Sequence, residues 1–346
     1  MTATLDALRP ARRRKPQPPR QISSPQPLFD SPPLEFSSRP LFAPLSSSSS
    51  ILPASSFSSS PSKPLNVSVL DSFPFLPSAS PTPSVSIEWI GHATMLINLG
   101  GKWILTDPVL SERVGVEICG KVIGIERYTK PARALEDFPK PDIIALSHAH
   151  LDHTDVPTLR RFAARYPEEI HIVTAKNTRD VVENLAWKSV TELDWEEELW
   201  LEGVRICGLE TRHNGWRLPW EKDRAQGYTD SGRSYNGYLL SSGGKTVVFG
   251  GDTAYTPHFS SLRNENVNVA IMPVGAYQGY ETLHCTPEQA LQMAREMRAE
   301  YFVPMHCATF DQSDEEPDEP LVRLFEAARQ HPMEIAIRRI GERCIL

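Results

Sequence analysis

Cysteine is scarce in this sequence, and long apolar runs are absent. The 346 residues include five cysteines, an odd number, and none of them forms a Cys-x-x-Cys pair. This arrangement argues against a disulfide-built scaffold, so we expect free thiols in a reducing compartment. No apolar run approaches the roughly 18 residues of a membrane-spanning helix, and no segment resembles a secretory signal. The sequence therefore predicts no bilayer-crossing segment.

Basic residues are in short supply after residue 86. That part of the chain has 28 Lys and Arg against 39 Asp and Glu, a net charge of −11. Proteins that bind nucleic acid broadly need Lys and Arg to neutralise phosphates. We therefore expect no nucleic-acid partner, although one small phosphate-bearing substrate remains compatible with this charge.

The first 86 residues have a different composition. They hold 17 of the 31 prolines and 22 serines, with a net charge of +4. Such low complexity predicts a disordered segment over residues 1–85, followed by one folded domain over residues 86–346. We expect a cytoplasmic protein. The basic stretch from Arg9 to Arg20, followed by Ser-rich sequence, leaves an organelle transit peptide as the alternative.

The most informative stretch is Ser147-His148-Ala149-His150-Leu151-Asp152-His153. It follows the apolar run Ile143-Ile144-Ala145-Leu146, which predicts a short buried strand. Imidazole nitrogens and carboxylate oxygens are ligands for Zn²⁺, Fe and Mn²⁺. In an extended chain His148 and His150 share a face and can reach one ion. Asp152 and His153 follow a turn, so they point toward a second ion or a bound water.

Three further candidate metal ligands follow apolar strands downstream: His213, Asp252 and His306. Each is the first strong ligand type after a segment that can carry it to the edge of a sheet. Taken singly, they have ordinary interpretations: a surface His for His213, a turn Asp for Asp252 and a packed core His for His306. Their joint occurrence favours one metal site.

The order of strands and helices predicts two sheets packed face to face with helices outside, a four-layer αββα sandwich of class α/β. Two hairpins are expected, over residues 94–106 and 235–249. Residues 111–135 show no clean period and predict a long functional loop. Helices are expected over residues 155–165, 178–185, 287–297 and 321–329, and a last strand over 334–340.

The ligand pattern resembles the metallo-β-lactamase superfamily of binuclear hydrolases. It combines His148-x-His150-x-Asp152-His153, His213, Gly251-Asp252-Thr253 and Met305-His306 over roughly residues 86–341. Other segments resemble N-acyl phosphatidylethanolamine-hydrolysing phospholipase D and its bacterial relatives. They are Trp89-Ile90-Gly91-His92-Ala93-Thr94, Thr106-Asp107-Pro108-Val109, Glu192-Leu193-Asp194-Trp195, Gly251-Asp252-Thr253-Ala254-Tyr255, Pro273-Val274-Gly275-Ala276-Tyr277, His284-x-x-Pro287-Glu288-x-Ala290 and His306-x-x-Thr309-Phe310.

This resemblance implies two divalent metal ions. By it, His148, His150 and His213 hold the first ion, Asp152, His153 and His306 hold the second, and Asp252 bridges them. Zinc is the expected metal, and iron and manganese accept the same ligands. The segments 110–139 and 214–234 do not resemble the corresponding parts of the lipid enzyme. The resemblance therefore supports the family more strongly than the substrate.

Four other features have expected roles around this site. Asp107 is the candidate carboxylate that accepts a proton from a ligand imidazole, unless it is an ordinary turn residue. His92 and His284 are candidates to contact substrate or to protonate the leaving alcohol, with packed histidines as the alternative. Trp216, Leu218 and Trp220 form an expected apolar lip, or else pack in the core, so any membrane contact is peripheral.

Three functions fit the sequence. The first is a phospholipase D-like phosphodiesterase acting on N-acyl phosphatidylethanolamine or a related phosphodiester. The second is a lactone or ester hydrolase of the ascorbate-6-phosphate lactonase type, which shares the ligand motifs. The third is a metal-binding regulatory protein without turnover, against which the full ligand set argues. The oligomeric state does not follow from the sequence.

Overall fold

The computed structural model describes residues 84–346, and strand β1 begins at Val85. The predicted disordered segment therefore lies outside the described residues, apart from its last two positions, and so does the candidate transit peptide. The strands, numbered along the chain, are β1 (Val85–Gly91), β2 (Thr94–Leu99), β3 (Lys102–Thr106), β4 (Arg113–Ile118), β5 (Lys121–Glu126), β6 (Ile143–Leu146), β7 (His171–Ala175), β8 (Ser189–Leu193), β9 (Glu198–Leu201), β10 (Val204–Glu210), β11 (Asn236–Ser242), β12 (Lys245–Phe249), β13 (Val269–Pro273), β14 (Tyr301–Met305), β15 (Glu334–Ile335) and β16 (Arg343–Ile345).

Two seven-stranded sheets contain fourteen of these strands. The first has the order β16-β1-β2-β3-β6-β7-β8, and the second has the order β15-β14-β13-β12-β11-β10-β9. Each sheet joins antiparallel hairpins to a parallel half, with β3, β6, β7 and β8 parallel in one and β12 to β15 parallel in the other. The central parallel strands β6 and β13 are buried along their whole length, as expected of strands covered on both faces.

Side-chain alternation explains the layers. In β6, Ile143 and Ala145 belong to the large core that the two sheets share, whereas Ile144 and Leu146 face the helix α1 (Val156–Arg165) through Phe162. The helices α2 (Pro287–Glu296) and α3 (Glu319–Gln330) pack together and contribute to the large core. The predicted four-layer αββα sandwich is confirmed.

Local sequence explains where the helices start. Thr286 caps α2 by accepting from the amide of Gln289, whose side chain in turn accepts from the Thr286 amide, a capping box with Pro287 at the first helical position. Helix α1 likewise has a proline in its first turn. No helix among residues 84–346 combines the length and apolarity needed to span a bilayer.

The prediction of a long loop over residues 111–135 was wrong. Strands β4 and β5 pair there as a two-stranded ribbon, joined by Cys119 and Gly120, both with positive φ. Such a two-residue turn suits a tight hairpin. The alternation is clear in β4 but interrupted in β5, where Val122 and Ile123 are adjacent and Gly124 follows. Because of this break, the two-residue alternation of a strand cannot be recognised in the sequence.

Two other predicted elements need correction. Residues 178–185 do not form an α-helix but a single 3-10 turn, Arg179–Val181, before the unpredicted strand β8. The last predicted strand, residues 334–340, is shorter than expected, because β15 ends at Ile335. The unpredicted strand β16 follows it and pairs with β1 in the other sheet. Edge strands of two or three residues carry too little pattern to be predicted.

Candidate metal centre

Strand direction brings the candidate ligands to one edge. Strands β10, β12 and β14 run in the same direction, so the residues after them, His213, Asp252 and His306, emerge together. Strands β3 and β6 are also parallel, and they deliver Asp107 and His148 from the other sheet. Sites at the carboxyl ends of parallel strands are common in α/β proteins because the connecting loops gather there.

Two groups of four ligand atoms form at this edge, and a smaller third group overlaps both. One atom from each of His148, His150, His213 and Asp252 lies within 4.8 Å of all the others. The same holds for a second group, His92, Asp152, His153 and His306, and for a third that joins Asp252, His284 and His306. All seven residues assigned by the resemblance are therefore brought together, and His92 and His284 join them.

Asp252 lies between the groups. Its Oδ2 atom is 3.0 Å from His153 Nε2, 3.0 Å from His306 Nε2 and 3.8 Å from His213 Nε2. The His153 and His306 nitrogens nevertheless lack the alignment of a hydrogen bond. Converging atoms that face a common point without bonding one another are the arrangement of ligands around a cation.

Buried nitrogen and oxygen atoms without hydrogen-bond partners indicate whether a metal ion fits this site. The Nε2 atoms of His148, His150, His153 and His306 and the Oδ1 atom of Asp252 are buried without a hydrogen-bond partner among the described residues. Buried polar atoms without partners are costly. Divalent cations that accept nitrogen and oxygen ligands satisfy all of them at once, so this donor set fits such ions.

Burial also sets the protonation of the imidazoles. It lowers the pKa of His148 and of His213 well below the usual value, which leaves a free lone pair on each ring. Burial acts in the opposite sense on Asp252, but His153 and His306 outweigh it and hold the pKa of that carboxyl well below its usual value. Against the effect of burial, Asp252 and the other nearby carboxylates raise the pKa of His153 well above its usual value and that of His306 to about 9. These two rings would therefore release protons when a metal binds, as is general for imidazole ligands.

Asp107 lies behind the ligands, against His153. Its Oδ2 atom is 2.6 Å from His153 Nδ1, and its Oδ1 atom accepts from the Ser147 amide at 2.7 Å. The Ser147 hydroxyl is shared between Asp107, at 2.5 Å, and His148 Nδ1, at 2.9 Å. His213 Nδ1 donates instead to the Leu283 carbonyl at 3.0 Å. These contacts leave Nε2 of His148, His153 and His213 directed at the centre.

His92 is buried behind Asp152. Its Nε2 atom lies 3.0 Å from Asp152 Oδ2, and its ring packs beside those of His306 and Phe310. Burial lowers the pKa of His92 to about 3, so the ring is neutral and Nε2–H donates to Asp152. Because this nitrogen is committed to Asp152 and the ring is 1% exposed, His92 is better placed to orient Asp152 than to protonate a leaving alcohol.

His284 occupies a more open position. Its side chain is 12% exposed, its ring stacks 5.2 Å from that of His306, and its Nδ1 atom is 4.0 Å from Asp252 Oδ2. Burial lowers the pKa of His284 to about 4, so it has no spare proton to give near neutral pH. A neutral imidazole there can accept a proton or donate one hydrogen bond.

Three strained backbone positions border the centre. His92, Asp107 and His306 all adopt left-handed φ angles, of 49°, 32° and 59°. Such conformations cost on the order of 1–3 kcal/mol each in residues other than glycine. Each angle turns the chain sharply after a strand, and the surrounding sheets hold it there.

An apolar cleft of about 400 Å³ adjoins the two groups. One wall is the ribbon, which places Val114, Val116, Ile123 and Ile125 on one face because these residues are cross-strand partners. Trp216 forms another part of the wall, 5.1 Å from the His150 ring. The remaining lining residues are Gly115, Gly124, His150, Leu151, Asp152, Arg217 and Gln312.

The structure also shows contacts that sequence patterns did not reveal. Gln312 Nε2 donates to Asp152 Oδ2 at 2.7 Å, and the Thr309 hydroxyl accepts from the His92 amide at 2.8 Å. Thr309 belongs to the segment His306-x-x-Thr309-Phe310 that resembles the lipid enzyme, whereas Gln312 lies two residues beyond it, so only Thr309 had a signal in the sequence. Of the predicted lip, Trp216 lines the cleft, Trp220 is 78% exposed and Leu218 is half-buried away from the cleft lining.

Comparisons with known proteins agree with this geometry. A family model described as the beta-lactamase superfamily domain matches residues 102–307. An uncharacterized protein of Mycobacterium tuberculosis is 26% identical over 268 residues, which span 75% of this chain and 68% of that protein. The N-acyl-phosphatidylethanolamine-hydrolyzing phospholipase D 1 of Caenorhabditis elegans is 28% identical over 255 residues, 69% of each chain. The isothiocyanate hydrolase from Delia radicum gut bacteria shares the fold, with a TM-score of 0.58 at 18% identity over 75% of this chain and 98% of that one.

Replacing Asp252 with alanine tests whether this residue is a ligand of both ions. We expect the wild-type protein to retain about two metal equivalents, as two-metal hydrolases do, and Asp252→Ala to retain fewer than one, because both ions lose a ligand. Elemental analysis after desalting measures this. Glu281→Ala removes an exposed acid three residues before His284; it is the control and should keep the wild-type content. Full metal content in Asp252→Ala would refute the shared role.

Replacing Asp107 with asparagine tests the residue behind His153. Metal affinity should fall about 10- to 100-fold because the imidazole loses the acceptor that orients it. Competition with a chromogenic chelator measures the affinity. Asp155→Asn is a matched control, since Asp155 is also buried but accepts from Ser111 and Thr158 rather than from a candidate ligand. Equal losses in both variants would indicate a general structural effect.

Proposed function

Because the chain belongs to the metallo-β-lactamase superfamily and is a metal-dependent hydrolase, we propose that it is a phospholipase D-like phosphodiesterase. Its proposed substrate is N-acyl phosphatidylethanolamine or a related phosphodiester lipid. Similarity to the C. elegans enzyme supports this proposal over two thirds of the chain. A regulatory protein without turnover is not supported by the family.

One observation carries the proposal: the two ligand groups lie at the end of an apolar cleft. The ligand groups suit hydrolysis in general, and the cleft suits a substrate with an apolar chain next to the bond that breaks. A small sugar lactone has no apolar chain that could contact this wall. Apolar lining with a few polar groups at one end is the usual form of a site for an amphiphilic molecule.

The proposed metal assignment follows the two groups. His148, His150 and His213 would hold one ion, Asp152, His153 and His306 would hold the other, and Asp252 would be shared between them. Zinc is the proposed metal, with iron or manganese as alternatives for the same ligands. When bound, a pair of such ions lowers the pKa of water and stabilises negative charge that develops on a phosphoryl oxygen.

The remaining residues have positioning and proton-holding roles in this proposal. His92 and Gln312 both donate to Asp152 Oδ2 and so fix the carboxylate from two directions. His284 is the proposed substrate contact, because it is neutral and the most open imidazole beside Asp252. Its neutral ring would donate one hydrogen bond to the substrate rather than deliver a proton.

The apolar residues around the cleft indicate how a lipid would approach. Val116, Ile118, Ile123 and Ile125 on the ribbon are exposed, as is Trp220 in the segment after His213. Clusters of exposed apolar side chains commonly mark interaction sites. We propose that this rim makes shallow contact with a lipid surface, so that an acyl chain can pass into the cleft.

A substrate panel tests the reaction class. The metal-loaded protein should hydrolyse N-acyl phosphatidylethanolamine to phosphatidic acid and N-acylethanolamine, and it should cleave bis(p-nitrophenyl) phosphate more slowly. Acyl lactones should be poor substrates. Mass spectrometry of the products and release of p-nitrophenol measure the rates. A clear preference for lactones would replace the phosphodiesterase with the ester hydrolase alternative.

The ribbon provides a second test. Ile123→Ser should raise KM for a long-chain N-acyl substrate about fivefold, since roughly 1 kcal/mol of apolar contact is lost. Hydrolysis of bis(p-nitrophenyl) phosphate, which has no acyl chain, should change little. Val122→Ser on the opposite face of the ribbon is the control. If both variants behave alike with the lipid, the cleft does not hold the acyl chain.

A further inference from the structure

Arg217 is a cation at the junction of the apolar cleft and the ligand segment. Its Nη1 atom donates to the carbonyls of Ala149 and Thr154, each at 2.9 Å. Those two carbonyls flank the stretch that contains His150, Asp152 and His153. One edge of the guanidinium therefore braces the candidate ligands, and the side chain also lines the cleft beside His150 and Asp152.

The rest of this guanidinium has no partner in the described part of the chain. Nε and Nη2 make no hydrogen bond there, and no carboxylate forms an ion pair with Arg217 among residues 84–346. Nearby cations are different: Arg224 pairs with Asp194, and Arg233 pairs with both Asp180 and Glu221. The Glu221 carboxylate, the nearest candidate in sequence, is already occupied by Arg233 and by the amide of Arg217 itself.

An unpaired cation in a largely apolar cleft is unfavourable by itself. Burial lowers the pKa of Arg217, yet a guanidinium stays protonated near neutral pH because its ordinary pKa exceeds 12. Arg217 is half-buried, so water solvates its charge only in part, and an anion bound in the cleft would stabilise it. The unused Nε–H and Nη2–H groups form one edge, which matches the paired oxygens of a phosphate or carboxylate.

We propose that Arg217 binds a negatively charged phosphate oxygen of the substrate. The cleft then selects molecules in which an alkyl chain adjoins an anionic phosphodiester, and neutral esters and lactones lack the group that Arg217 needs. This inference rests on the proposed function, whose substrate class it narrows. Arg217 is thus a substrate-binding residue as well as a brace for the ligand segment.

Binding of two matched probes to the full-length, metal-loaded protein tests this. Dibutyl phosphate is an anionic diester, and tributyl phosphate has the same alkyl groups without the charge. Titration calorimetry should show that Arg217→Met weakens dibutyl phosphate binding about 10- to 100-fold, the usual effect of a lost charge-assisted hydrogen bond. Tributyl phosphate binding should change less than about threefold.

Two further variants control for bracing and for charge. Arg217→Lys keeps the charge and can bond the two carbonyls, but it lacks the paired N–H groups, so it should retain metal and lose only part of the diester affinity. If Arg217→Met loses metal, the diester affinity of Arg217→Lys decides whether Arg217 binds the diester. Lys222→Met removes an exposed cation of the same segment and should leave both affinities unchanged.

The outcomes separate this inference from the proposed function. Equal losses for the two probes, or no loss for dibutyl phosphate, would overturn the role of Arg217. Inorganic phosphate is a third probe, and a loss confined to it would also overturn the role, since the site would then recognise free phosphate rather than a diester. Arg217-dependent diester binding without hydrolysis of bis(p-nitrophenyl) phosphate would refute the phosphodiesterase and keep the anion recognition.

Discussion

The structure depends on a set of buried nitrogen and oxygen atoms that protein groups leave unsatisfied. Imidazoles from four separate strand ends face the carboxylates of Asp152 and Asp252, and several of their atoms have no hydrogen-bond partner among the described residues. Apolar surroundings make such atoms costly. Cations are the species that can satisfy them together, so metal binding would help to hold this edge of the fold together.

The sandwich supplies the rigidity that this arrangement needs. Parallel strands from two sheets end at one edge, and the strained turns at His92, Asp107 and His306 start directly from them. Hydrogen bonds from Ser147 and His153 to Asp107 connect the two strand ends of the first sheet. The same edge borders the ribbon and Arg217, so apolar contact, anion recognition and the ligand groups meet within one cleft.

The sequence was most informative where a residue can bind metal and also follows a recognisable strand. His148, Asp252 and His306 follow apolar runs long enough to be recognised, and the superfamily was predicted from them. Prediction failed where the pattern is short or interrupted. The ribbon was missed because Val122, Ile123 and Gly124 break the alternation, and β16 was missed because three residues give no period. Gln312 and Arg217 act through contacts across more than 60 positions, which no local spacing reveals.

Anomalous scattering from crystals of the metal-loaded protein tests the central claim most directly. Data collected at the absorption edge of the bound metal should show two peaks per chain, one beside His148, His150 and His213 and the other beside Asp152, His153 and His306. Asp252 should lie between them. A single peak, or peaks remote from Asp252, would contradict the two-ion centre on which the proposed phosphodiesterase depends.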